Sequence, residues 1–328
     1  MMENKGVILS GMRPTGRLQL GNLLGALDNW VKLQDDYQCY FCVVDWHALT
    51  TEYESPVNIR ENINEMVIDW LSAGLDPGKS VIFKQSDVKE HAELHLLLSM
   101  ITPLTWLERC PTYKDQILQL KDKNIATYGF LGYPLLQAAD ILIYRATAVP
   151  VGEDQAPHIE LTREIARRFN FLYGTVFPEP KTILNIVKLL PGTDGRKMSK
   201  SYGNTINLSA SPEEIREKVR SMITDPRRIH KADPGNPEVC TVFAFHKIFN
   251  PEGVDEIEEL CRKGKIGCVQ SKKILAEKMI EYLRPIYEKR QDLLKKPEYI
   301  REILDAGKEK AAKKARQTMA EVREAMML

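Results

Sequence analysis

The sequence predicts an α/β fold: a doubly wound parallel sheet followed by an all-helical C-terminal domain. Short apolar runs alternate with segments of helical periodicity over the first 205 residues. One such run, Tyr40-Phe41-Cys42-Val43-Val44, is apolar throughout and reads as a strand covered on both faces. After residue 205 only helices and loops can be read.

Strand candidates are 6–10, 40–45, 80–85 and 148–151. After the first, Leu23, Leu27, Trp30 and Val31 recur at helical spacing. Gly25, one turn after Gly21, lets that helix come close to the sheet or a ligand. Residues 58–73 form an amphipathic helix with Ile59, Ile63, Met66, Val67 and Trp70 on one face, and a helical insertion is expected around 86–130. The apolar stretch Tyr133-Pro134-Leu135-Leu136-Gln137-Ala138-Ala139-Asp140-Ile141-Leu142 follows. Val149-Pro150-Val151 then ends in a glycine turn, Gly152-Glu153-Asp154-Gln155, and residues 158–169 read as a charged amphipathic helix. Ser211-Pro212-Glu213-Glu214 is a strong helix start, with Ser as N-cap, Pro first and Glu third for a capping box. The stretch 297–327 is a long helix rich in Lys, Arg, Glu and Ala, its basic face serving either solvent or RNA.

The bulk numbers narrow the function classes. With 46 basic against 45 acidic residues, any nucleic-acid contact is local. There is no apolar run of eighteen residues and no signal-peptide core, so the expectation is a cytoplasmic protein with no membrane partner. No GxGxxG and no GxxxxGK[ST] occurs, which argues against dehydrogenases and P-loop NTPases. Cys39 and Cys42 have CxxC spacing but lie on a strand, where residues three apart point to opposite faces, so they read as core.

Two segments carry phosphate chemistry. Gly195-Arg196-Lys197-Met198-Ser199-Lys200-Ser201 follows a Pro/Gly turn and offers two lysines on a mobile loop. Upstream, Pro14-Thr15-Gly16-Arg17-Leu18-Gln19-Leu20-Gly21-Asn22 joins a strand to a helix N-terminus, where backbone N–H groups and the helix dipole receive anions. Asp140, in an apolar helix, is either a salt-bridged structural residue or a buried acceptor for a ligand N–H or O–H.

Together the two segments resemble the paired signatures of the class I aminoacyl-tRNA synthetases, a turn ending His-x-Gly-His or His-x-Gly-Asn and a Lys-Met-Ser-Lys-Ser loop. The second is matched completely. In the first, Gly21 and Asn22 fit but Gln19 replaces the leading His; it can donate a hydrogen bond to phosphate but carries no charge. The segments 138–142 and 149–169 resemble the bacterial tryptophanyl-tRNA synthetases in particular, and the likeness runs from residue 6 to the C-terminus. Gln137 is shared with the tyrosyl enzymes, but those have Ala-Tyr-Asp where this chain has Ala138-Ala139-Asp140, and the missing bulk leaves room for an indole.

The resemblance implies a Rossmann-like catalytic domain over 1–205 and, over 206–328, a helical domain for tRNA anticodon recognition. It implies ATP as substrate with Mg2+, cradled by Arg13, Pro14, Thr15, Gly21 and Asn22, with Gly152, Glu153 and Asp154 on the ribose and adenosine side. Lys197, Met198, Ser199, Lys200 and Ser201 close on the pyrophosphate, and Lys197, Lys200, Asn22 and Gln19 are the catalytic set. Tyr133 and Gln155 bind the amino-acid ammonium, Asp140 accepts the indole N–H, and His47 either helps with the carboxylate or is structural. The implied partners are L-tryptophan, ATP and tRNA(Trp), with a homodimer and no DNA. Some relatives hold a [4Fe–4S] cluster on four cysteines. Here Cys240, Cys261 and Cys268 match but Ser271 stands at the fourth position, so a cluster is allowed but not favoured over plain thiols. Two alternatives stay open: a tyrosyl-tRNA synthetase, and a non-catalytic paralogue that binds tRNA or tryptophan as a regulator, which Gln19 alone favours.

Overall fold

The computed structural model describes residues 6–328 except 112, 115, 116, 118–124, 185–189, 200, 201 and 231. Five parallel strands form one sheet in the order β3-β2-β1-β4-β5: β1 (Val7–Met12), β2 (Gln38–Val43), β3 (Ser80–Lys84), β4 (Ala148–Val151) and β5 (Lys181–Leu184). The chain starts in the middle, builds outward through β2 and β3, then returns to add β4 and β5 on the other side of β1. The winding therefore reverses between β1 and β4, which pair through Ile8 and Ala148. In such sheets the crevice beyond the carboxyl ends at the reversal is where ligands bind. The four expected strands are present. β5 is an addition: a short edge strand with half-exposed residues, whose Lys181-Thr182-Ile183-Leu184 lacks the apolar run of an inner strand.

Helices cover the sheet because each brings one apolar stripe. In α2 (Asp28–Asp36), Trp30 stacks on Phe41 of β2 at 4.7 Å and meets Trp70 edge-on at 5.3 Å, from the expected apolar face of α4 (Ile59–Ser72). Between β3 and β4 come α5 (Glu90–Ser99), α6 (Leu104–Glu108), α7 (Tyr128–Leu131) and α8 (Tyr133–Ile143), and α9 (Ala156–Tyr173) follows β4.

The chain divides into two compact units. The sheet unit comprises Met1–Gly16, Ala26–Val187 and Lys296–Leu328; the other comprises Arg17–Gly25 and Lys188–Lys295. A single boundary at 205/206 does not reproduce this division. The physical reason is clearest in the last helix, α14 (Pro297–Ala325), which lies on edge strand β3 within the sheet unit. A Cβ at Gly307 would stand 1.8 Å from the Ile82 carbonyl oxygen, so only glycine permits this approach. Ala311 and Ala315 continue the small-residue stripe, and Arg323–Glu93 and Arg145–Glu321 ion pairs flank it. The stripe covers an edge that would otherwise offer unpaired backbone groups.

The second unit is helical after its loops: α10 (Pro212–Ser221), α11 (Thr241–Phe249), α12 (Val254–Arg262) and α13 (Cys268–Leu294). The expected capping box opens α10, with Glu214 N–H donating to Ser211 Oγ at 3.2 Å and Ser211 N–H to Glu214 Oε2 at 2.7 Å. No described helix is long and apolar enough to cross a membrane.

Candidate active site

In the sheet unit, the carboxyl ends of β1 and β4 deliver the first predicted residues. Gly11, the last residue but one of β1, sits where a Cβ would lie 2.8 Å from the Cys42 carbonyl oxygen. The chain then turns outward, with Pro14 buried, Arg13 and Thr15 exposed, and the Thr15 N–H donating to the Arg13 carbonyl at 2.9 Å. At the end of β4, a Cβ on Gly152 would meet Asp154 Oδ1 at 2.8 Å. The Gln155 amide donates to Asp154 Oδ2 at 2.9 Å, so these two predicted residues are paired with each other, and Glu153 shares their turn.

Beneath the crevice lies a buried polar cluster. Asp140 of α8 is 2 % exposed, yet it accepts hydrogen bonds from three side chains on three other elements. His47 Nε2, from α3 (Asp45–Glu52), is 2.9 Å from Oδ2. His91 Nδ1, from α5, is 2.6 Å from Oδ1. Gln85 Nε2, just past the end of β3, is 2.8 and 2.9 Å from the two oxygens. The Gln85 side-chain oxygen, Oε1, accepts the Trp46 N–H at 3.2 Å, which turns the amide nitrogen toward Asp140. Burial alone would raise the Asp140 pKa, but the bonds from His47 and His91 outweigh it and hold the carboxyl at about 2. Asp140 is thus an ion-paired residue and a poised acceptor at once. Ala139 beside it is fully buried. Tyr133 stands edge-on to His47 at 6.5 Å and near His158 at 5.5 Å. Burial, aided by His47, lowers the His158 pKa to about 4. Gln85 and His91 were not singled out in the sequence. The one usable signal was position, since Gln85 sits at a strand carboxyl end.

The two signature segments meet in the second unit. Gln19 bridges Asn207, the Leu20 N–H donates to the Ile206 carbonyl at 3.0 Å and the Leu208 N–H to the Leu18 carbonyl at 2.8 Å. Asn22 spends its side-chain oxygen on the Gln19 N–H at 2.9 Å, a capping box that fixes the start of α1 (Leu20–Asn22) at Leu20. The loop is a tight hairpin: Pro191 bridges Lys197, Gly195 takes φ +79°, and the Gly192 N–H donates to the Arg196 carbonyl at 2.7 Å. Met198 is buried and anchors it, Ser199 is half-buried, and Lys197 is exposed. Lys200 and Ser201 lie outside the described residues.

Asn204 organises the hairpin, and nothing in the sequence marked it. It is 2 % exposed. Its Nδ2 donates to Asp194 Oδ1 at 2.7 Å and to the Lys197 carbonyl at 3.1 Å. Its Oδ1 accepts the Ser199 N–H at 2.8 Å, and its carbonyl accepts the Thr193 N–H at 2.9 Å. A Cβ at Gly192 would strike this amide at 2.2 Å. Asp194 is also paired with Arg196, whose guanidinium lies 4.4 Å over the Tyr202 ring.

Elsewhere in this unit Cys240, Cys261 and Cys268 come near one another: burial raises the Cys240 pKa first, and the other two thiols add to it. Arg228 faces two of them, with Nη1 3.7 Å from Cys261 Sγ and 3.8 Å from Cys268 Sγ, while Nη2 donates to the Ile266 carbonyl at 2.6 Å. The Ser271 hydroxyl is 3.1 Å from His246 Nε2. This donor set does not fit a four-thiolate cluster: a cation lies against two thiols, and the fourth position is a hydroxyl engaged elsewhere. Among the described residues no three His, Cys, Asp or Glu are grouped to hold a metal ion.

The family described as tRNA synthetases class I (W and Y) matches residues 2–284. A tryptophan--tRNA ligase of Thermotoga maritima is 54 % identical over 98 % of this chain and 99 % of its own. One from Aquifex aeolicus is 48 % identical, again over 98 % and 99 %. A crystal structure of the Campylobacter jejuni tryptophanyl-tRNA synthetase complexed with ADP and tryptophan superposes with TM-score 0.90 at 37 % identity, covering 98 % of this chain and all of that one.

Proposed function

From the premise that the chain belongs to the class I tRNA synthetases of the tryptophan and tyrosine family, we infer the reaction it catalyses and the residues that carry it. The chain is an aminoacyl-tRNA synthetase that charges tRNA with tryptophan at the expense of ATP. The observation that carries this is near-full-length identity to tryptophan--tRNA ligases.

The reaction needs no protein nucleophile. The tryptophan carboxylate oxygen attacks the α-phosphorus of ATP in line, the bond to the bridging oxygen breaks, and pyrophosphate leaves with that electron pair. A ribose hydroxyl at the tRNA 3′ end then attacks the acyl carbon and AMP departs. Catalysis is therefore positioning and charge stabilisation. Arg13, Pro14 and Thr15, with Gly21 and Asn22, form the ATP cradle, and Gly152, Glu153 and Asp154 take the ribose and adenosine side; their places at strand ends and at a helix start support this. Lys197 and Lys200 neutralise charge that builds on the departing pyrophosphate, with Met198, Ser199 and Ser201 shaping their loop. Gln19 supplies an uncharged donor there. ATP enters with Mg2+, which neutralises part of its polyphosphate charge.

Asp140 receives the indole N–H. Its burial, its ionisation and the small Ala139 beside it support this role. Tyr133 and Gln155 hold the ammonium group, and His47, already bonded to Asp140, lines the same pocket. Cys240, Cys261 and Cys268 are reduced thiols, which the Arg228 and Ser271 contacts support. By role, as distinct from the two packing units, catalysis belongs to 1–205 and anticodon recognition to 206–328. The enzyme acts as a homodimer, and in the cytoplasm, where tRNA is charged for the ribosome. Aminoacylation of purified tRNA(Trp) with labelled tryptophan tests the assignment: charging that requires ATP and tryptophan supports it. Charging with tyrosine instead points to the sister specificity, and binding without charging to the regulatory paralogue.

A further inference from the structure

Asp140 offers about four lone-pair directions, and its three donors address all of them. Gln85 reaches both oxygens, His91 takes the rest of Oδ1 and His47 the rest of Oδ2. A ligand N–H can therefore reach Asp140 only where one donor gives way. Gln85 and His91 have no exposed surface at all, whereas His47 keeps 7 %. The Oδ2 side is the exchangeable one, and the Oδ1 side is fixed.

What fixes it lies one residue deeper. The Tyr144 hydroxyl is 2.7 Å from His91 Nε2. The Asp140 carboxylate accepts only, so the His91 Nδ1 donates to it, and the Tyr144 hydroxyl engages the other ring nitrogen, which fixes the ring from both ends. Tyr144 is itself fully buried, stacked on Tyr40 at 4.6 Å and edge-on to Phe83 at 5.4 Å, and burial keeps its hydroxyl protonated. A tyrosine clamped between two rings thus fixes the orientation of the histidine that holds the carboxylate.

We propose that His91 and Tyr144 are a positioning pair that locks Oδ1 of Asp140 and leaves Oδ2 as the ligand-facing acceptor, and so set the preference for an aromatic ring that donates a hydrogen bond. Neither residue touches the reacting atoms. The proposal rests on the reading of Asp140 as the acceptor of the indole N–H.

The test compares kcat/KM for tryptophan with that for its benzothienyl analogue, which has sulfur in place of N–H. The comparison is made in the parent, His91→Leu, His91→Asn and Tyr144→Phe. An unpaired buried acceptor makes the parent favour tryptophan by about 10- to 100-fold. His91→Leu is expected to lower that ratio about tenfold through tryptophan KM, with ATP KM unchanged. His91→Asn keeps an N–H donor in the Nδ1 position and should restore most of the ratio, a rescue that a space-filling role would not produce. Tyr144→Phe removes only the hydroxyl, keeps both ring contacts and should give an intermediate loss; it decides the matter where His91→Leu does not fold. A parent ratio retained in the folded His91→Leu or, failing that, in Tyr144→Phe overturns the pair while sparing Asp140. A parent ratio near one overturns the reading of Asp140, and the pair's role with it.

Discussion

Asn204→Ala is the substitution whose consequences follow most directly from the geometry of the signature loop. The side chain makes three hydrogen bonds in a nearly dry site, to Asp194, to the Lys197 carbonyl and from the Ser199 N–H. At about 1 kcal/mol net for each, truncation costs roughly 3 kcal/mol. For a unit of this size that corresponds to a fall in Tm of roughly 12 °C. The functional cost is separate. The amide grips the backbone at Lys197 and Ser199, so its loss frees the segment that carries the pyrophosphate-binding lysines. Misplacing a charged donor by about 1 Å costs on the order of 10²-fold in rate. Pyrophosphate exchange, measured below the melting transition, should therefore fall by about that factor. Tryptophan affinity by titration calorimetry should stay at the parent value, because the Asp140 cluster belongs to the other unit. Asn204→Asp keeps the acceptor for Ser199 but turns a carboxylate toward Asp194 and the Lys197 carbonyl, and should be at least as damaging. An Asn204→Ala enzyme that exchanges pyrophosphate at the parent rate would show that the hairpin's order contributes nothing to activation.

Three further expectations follow from other parts of the molecule. Lys197→Ala should slow tryptophan activation by on the order of 10²–10³-fold without changing tryptophan affinity, as loss of one transition-state donor does; parent-rate exchange would remove the loop from the mechanism. Burial holds the pKa of His158 and of His246 down at about 4, against about 6.5 in the unfolded chain, so the folded state disfavours their protonation. The stability each contributes is complete above pH ~6.5 and is lost as pH falls toward ~4, on the order of 3 kcal/mol apiece; urea unfolding between these limits should show the decline, and a flat profile would contradict it. Protein purified without oxygen should show no broad absorbance near ~400 nm and no stoichiometric iron, and Ser271→Cys alone should not confer uptake, since Arg228 still faces the thiols; iron recovered at three or four per chain would mean that the thiols open to a cluster.

Much of the architecture was legible because inner parallel strands must be apolar on both faces. Phe41 and Val43 stand out as a run for that reason, and Ile82 and Phe83 do so on edge strand β3 because the helices packed on it bury them too. The capping box at Ser211 and Glu214 was equally plain, since local chemistry alone produces it. β5 was missed because an edge strand needs no apolar run. Helix α14 was recognised as a helix but not as the cover of β3, since a stripe of Gly307, Ala311 and Ala315 among lysines reads as solvated surface. At the site, signature residues were recognised from spacing. The network around Asp140 was not, because His47, Gln85 and His91 lie 93, 55 and 49 residues away in sequence and only tertiary folding brings them together. Asn204 escaped for a related reason: a lone asparagine after a loop looks like turn chemistry until its amide is seen to close the hairpin.

The most direct test of the central claim is amino-acid-dependent exchange of labelled pyrophosphate into ATP by the purified full-length protein. Tryptophan should drive exchange, and tyrosine should do so with kcat/KM at least ~10²-fold lower, given the small Ala139 and the buried acceptor Asp140. Equal or faster exchange with tyrosine, or none with either amino acid, would contradict the assignment.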